Sequence, residues 1–203
     1  VALFATLAAA CGSDDADGPA TAACDAAVDY GAAFASGPQD PAEIPAFAKE
    51  RMLPIAEALE GGLEGDALAA ATALREAIAT VADGGDMGVL ETPEVVEARA
   101  TIGAAIHDGC DLQQVSVSAI DWAFTGIPDE LPSGRISFAV DYEGKDEHEM
   151  VVFRRNDDST STLDEILELP GEEMMSQVTM TGVTYGSPGT TSYLTADLEP
   201  GTY

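Results

Sequence analysis

The chain has 203 residues, 46% of them hydrophobic, and sets 37 acidic against 8 basic side chains for a formal charge of −29. That length allows one large domain or two small ones, each able to bury a core. The acidic field repels phosphate backbones and anionic headgroups, so it excludes nucleic acid as a partner and leaves cations, basic partners or a well-solvated surface.

Residues 1–10 form an almost purely apolar run, too short to span a bilayer. The run reads as the apolar region of a secretory signal, entered after its basic start. Leu7-Ala8-Ala9-Ala10-Cys11-Gly12 resembles a bacterial lipobox. That resemblance implies a lipid on Cys11, cleavage before it, and an anchor to the outer face of the cell membrane. Residues 1–11 are therefore expected to be a partial signal and lipobox. Residues 12–23, acidic and rich in Gly and Ala, are expected to be a flexible linker.

Cys24 and Cys110 then remain, an even pair in a chain read as exported, which predicts a disulfide. The alternative, two thiolates of a metal site, finds no neighbouring ligands in the sequence. Residues 24–111 read as a small antiparallel helical bundle closed by that bridge. A first helix over 22–35 carries Val28 and Phe34 and stops at Ser36-Gly37-Pro38. Asp40-Pro41-Ala42-Glu43 has a capping residue, a proline at the first helical position and an acid where a capping box wants one. The helix it opens carries Phe47, Leu53, Ile55 and Leu59, with Pro45 and Pro54 predicting a late start or a kink. Over 64–81, Leu68, Ala71, Leu74, Ile78 and Val81 recur at helical spacing. Thr92-Pro93-Glu94 opens the last helix, with Val95, Ile102 and Ile106 on one face. His107 falls in its last turn, where the helix dipole favours a cation.

Past Cys110 the periodicity changes from helical to alternating. Over 115–124 two apolar sets of opposite parity predict a bulge or bend. Residues 135–155 read as strand, tight turn and strand, with Ile136, Phe138, Val140 and Tyr142 on one face and His148 at the mouth of the hairpin. Thr162 and Glu165 predict a capping box ahead of a short helix. Strands over 178–185 and 190–198, separated by Pro188-Gly189, complete an α+β chain.

Residues 115–203, through AIDWAFTGIPDELPSGRISFAVDYEGKDEHEMVVFR and YLTADLEPGTY, resemble the cupredoxin-like domain of exported actinobacterial lipoproteins. The preceding bundle resembles the helical region paired with that domain. The resemblance implies that 112–203 form a cupredoxin-like antiparallel β-sandwich, truncated at its C-terminal strand. His148 would be the first copper ligand, near the chain end, with a cysteine, a second histidine and a methionine following Tyr203. A missing strand would also leave Phe138 or Val152 exposed. Beside His148, the acids Asp146, Glu147 and Glu149 offer a weaker hard-metal or Cu(II) site, and Met150 is expected in the core.

The implied function is copper binding or electron transfer by a membrane-anchored lipoprotein. The alternative is a metal-free module of the same fold that binds a partner or the cell envelope. Enzyme activity is not expected, because two histidines, a bonded cysteine pair and no phosphate-cradling glycine motif leave no nucleophile–base set.

Overall fold

The structure, a computed structural model, describes residues 20–203. The lipobox expectation on Cys11, with all of residues 1–11, lies outside the described residues. Helix α1 (Thr21–Ala35) starts within the stretch read as linker. Asp40 accepts a hydrogen bond from the Ala42 N–H (2.9 Å) and opens a 3₁₀ turn, Pro41–Glu43. Helix α2 (Ile44–Phe47), a π-helical stretch (Ala48–Met52) and α3 (Leu53–Gly62) then follow without a break. The expected kink takes the form of that π-helical stretch. Pro54 has no N–H, so the carbonyl four residues before it lacks its donor. The wider register, with the Leu53 N–H on the Ala48 carbonyl, absorbs the gap.

Helix α4 (Gly65–Ala82), a 3₁₀ turn (Met87–Glu91) and α5 (Pro93–Gly109) complete the helical part. Ala70 and Ala71, rather than Leu68, open the buried stripe of α4; Leu68 is exposed. No helix among the described residues is long and apolar enough to cross a membrane.

From Gln113 the chain is mainly strand. Strands β1 (Gln113–Ile120), β2 (Ala123–Thr125), β3 (Gly134–Tyr142) and β6 (Thr191–Leu198) form one sheet in the order β2-β1-β3-β6. Strands β4 (His148–Arg155) and β5 (Val178–Gly186) form a second, antiparallel pair. Between them lie two short helices, α6 (Leu163–Leu167) and α7 (Gly171–Gln177), the first with the expected Thr162–Glu165 capping box.

Three expectations change here. The sheet is not wholly antiparallel, because β1 runs parallel to β3 with Val115 opposite Phe138. Residues 135–155 are not a hairpin either. β1 and β6 fill both edges of β3, so β4 has no free edge to join and crosses to the second sheet. Finally, the parity switch is a full reversal. Asp121-Trp122 brings Ile120 opposite Ala123, with Trp122 at φ 69°, the left-handed conformation such a turn needs at its third position.

The same face of β3 that shows Ile136, Phe138, Val140 and Tyr142 meets Val115 and Val117 of β1, Leu194 and Leu198 of β6, and Met150 of β4. Phe138 is buried in this core, not uncovered. The opposite face is met by helices. α1 crosses β6 at Gly31, where a Cβ would overlap the Thr195 carbonyl oxygen. The Cys24–Cys110 disulfide, its Cα atoms 5.8 Å apart, ties the start of α1 to the end of α5.

Candidate functional site

His148 opens β4, opposite Gly186 of β5. Its ring lies against Gly144, where a Cβ would collide with Nε2, so the loop from β3 passes this close only as glycine. Nε2 is 3.4 Å from Asp121 Oδ1 in the β1–β2 turn, and it is buried without a hydrogen-bond partner. The same Asp121 oxygen accepts the Lys145 N–H at 2.8 Å. The carboxylate beside His148 is therefore Asp121, distant in sequence, and Glu147 is instead held by Ser187 Oγ at 3.0 Å. Met150 is core, as its position on the strand suggests. Thr202 accepts a hydrogen bond from the Arg155 N–H, so the last residues lie at the far end of β4 from His148, not beside it. Among the described residues no three His, Cys, Asp or Glu side chains are grouped to hold a metal ion.

His107, read as a cation at a helix end, is buried between α5 and the sheet. Its Nδ1 sits 2.9 Å from Ser137 Oγ, and its ring packs 5.5 Å from that of Tyr193. It joins layers; the sequence showed its helix position but not the sheet above it.

A cleft with a volume of about 850 Å³ lies between α1 and α5 on one side and β5 and β6 on the other. Its sheet wall is rich in hydroxyls that are already paired: Thr184 Oγ1 donates to Ser192 Oγ at 2.7 Å, Ser192 Oγ lies 2.9 Å from Tyr142 OH, and Thr191 Oγ1 donates to Asp141 Oδ1 at 2.6 Å. A second cavity, about 280 Å³, reaches into the helical part between Phe47, Ala48, Met52 and Ile78. The two spaces share Tyr30, Phe34, Leu74 and Arg99 in their walls.

Arg99 stands at that junction. Its Nη2 donates to Tyr185 OH (2.5 Å) and to the Leu90 carbonyl (3.2 Å), bridging α5 to β5. Among the described residues it has no carboxylate within 4.0 Å. Burial pushes the Tyr30 phenol above its ordinary pKa, with Arg99 beside it acting in the opposite direction. A signal for Arg99 was present in the sequence. It occupies the apolar stripe of α5, four residues after Val95 and three before Ile102, where a charge is out of pattern.

Fold and site together place the chain among mixed helix-and-sheet proteins with an interlayer cleft. No protein-family model, curated protein or solved structure matches it.

Proposed function

We propose that the protein is a binding module of the extracytoplasmic space, held to the outer face of the cell membrane by a lipid on Cys11, and that its sheets are a cupredoxin-like sandwich carrying no metal. The cleft of about 850 Å³ between the helices and β5–β6 supports this most directly. Ligand sites favour such concave junctions, where aromatic walls meet a few placed polar groups. The bonded cysteines and the lipobox-like run support export. A melting-temperature screen of the oxidised protein against a small-molecule library tests the binding. A ligand at 100 times its Kd adds about 2.7 kcal/mol of stability, or roughly 5–10 °C for a chain of this size. A screen without any such rise would sink the reading. Detergent partitioning of the exported protein, lost in Cys11→Ser, tests the anchor.

Copper binding with electron transfer is the second reading, favoured by the buried, unpartnered Nε2 of His148 beside Asp121. A blue-copper centre needs two imidazoles and a thiolate. The described residues do not fit it, since Cys24 and Cys110 are bonded to each other and only His148 faces this corner. Titration with Cu(II), followed by electron paramagnetic resonance, decides. A signal lost in His148→Ala supports copper, and binding indifferent to His148 removes the reading.

A further inference from the structure

We propose that the mouth of the helical cavity is a site for a small amphipathic carboxylate, its apolar body inside the cavity and its carboxylate on Arg99; this rests on the binding-module reading and names its ligand class. The cavity walls are almost wholly apolar side chains, and Arg99 is the cation that reaches them. A space of about 280 Å³ is nearly twice the roughly 150 Å³ that takes up benzene, so an acyl chain of about ten carbons is the right scale. The mouth is also left apolar: Phe34 is 40% and Met87 46% exposed, although both belong to walls that water would otherwise wet.

The charge at the mouth completes the pattern. A guanidinium offers five donors in a planar fork suited to a carboxylate. Tyr185 OH and the Leu90 carbonyl are both taken by Nη2, and neither neutralises the charge. Of the six arginines, Arg75, Arg135 and Arg154 pair with a carboxylate among the described residues, whereas Arg51 and Arg155 do not, and neither of those two lines the cavity. Arg99 also lacks such a partner there, and it faces the cavity. Glu91 and Glu97 line the outer cleft together with Arg99 and repel an anion there, so the carboxylate must bind through direct charge-assisted hydrogen bonds to the guanidinium. The direct bond to Arg99 acts at contact, where screening is weakest.

The structural role of Arg99, as a bridge from α5 to β5, would not discriminate between ligands, so the test compares decanoate with decanol. Calorimetric titration of the oxidised protein is expected to show one decanoate bound per chain and decanol at least tenfold weaker. Arg99→Gln should weaken decanoate about tenfold or more and leave decanol within threefold. Ala48→Leu, which fills the cavity, should weaken both. Decanol binding as tightly as decanoate to the unaltered protein overturns the proposal without any variant. So does an Arg99→Gln protein of unchanged circular dichroism that retains its decanoate affinity, or no decanoate binding at all. If decanoate fails while other library compounds raise the melting temperature, this inference alone falls. If nothing binds, the binding-module reading falls with it.

Discussion

Nine of the nineteen buried residues in the helical core are alanine, whereas only two of the eleven in the sheet core are. A buried leucine, valine or phenylalanine contributes roughly 1.5–3 kcal/mol relative to exposure, and alanine contributes much less. The helical half therefore gains less per buried residue, and it is this half that carries both a covalent staple and a cavity. The sheet half fills its interior with Ile136, Phe138, Val140, Tyr142 and Leu194 and has no such bridge. Small side chains let helices approach closely but fill the space between them poorly. The contrast links composition to shape, since the cavity of about 280 Å³ lies in the alanine-rich half.

The disulfide is the sharpest way to break that comparison. It joins positions 86 residues apart, and in the chain-entropy account such a loop is worth about 3–5 kcal/mol. Cys24→Ser with Cys110→Ser should lower the melting temperature by roughly 10–15 °C. Hydrogen exchange should show the helices opening ahead of the sheet. A loss below 1 kcal/mol, or loss spread evenly over both halves, would mean that the helical half does not depend on its staple.

The two cores should also answer one substitution with opposite signs. Ala119 is fully enclosed in the sheet core, so Ala119→Leu should overpack it and cost about 1–3 kcal/mol. Ala48 borders the helical cavity, so Ala48→Leu should be neutral or stabilising by up to about 1 kcal/mol. Urea midpoints for the pair read this directly, and equal costs would argue that the cavity is not available to side chains. Where the halves meet, Gly31→Ala places a methyl group against the Thr195 carbonyl. The expected cost is again about 1–3 kcal/mol, nearer the upper figure, because the overlapping atom is backbone and cannot rotate aside.

Periodicity made the helices legible, along with the Thr162 capping box and the alternation of β1 and β3, because these depend on neighbours in sequence. It did not reveal partners. The 135–155 stretch has the alternation and turn residues of a hairpin, yet its strands belong to different sheets because β1 and β6 occupy β3. That competition between distant strands leaves no local trace. The site shows the same division. His148 was singled out by type, but its neighbour Asp121 lies 27 positions earlier and is brought there by the turn at Trp122. Arg99 could be read as a charge on an apolar stripe; the cavity it faces could not, since it arises where α1, the α2 stretch, α4 and α5 leave a gap between them.

The smallest expected effect lies inside the helical half, in the link from α3 to α4. Glu60 accepts from Thr72 Oγ1 (2.7 Å) and pairs with Arg75 Nε (2.6 Å). The Thr72 hydrogen bond first, and Arg75 with it, hold the Glu60 carboxyl below its ordinary pKa against a smaller opposing effect of desolvation. A carboxylate with a depressed folded pKa stabilises the fold fully above its unfolded value, about 4.3, and loses that contribution as pH falls through the folded value. Both partners are partly exposed, so the contribution is below about 1 kcal/mol. The whole-protein pH curve mixes it with relief of repulsion among the other acids, so Glu60→Gln must be measured alongside the unaltered chain. Their difference in urea midpoint should be present at pH 7 and shrink as pH falls through the lowered folded pKa of Glu60, where the carboxylate gains its proton. A difference that persists unchanged into acid would show that the glutamate acts through packing on α4 rather than through its charge.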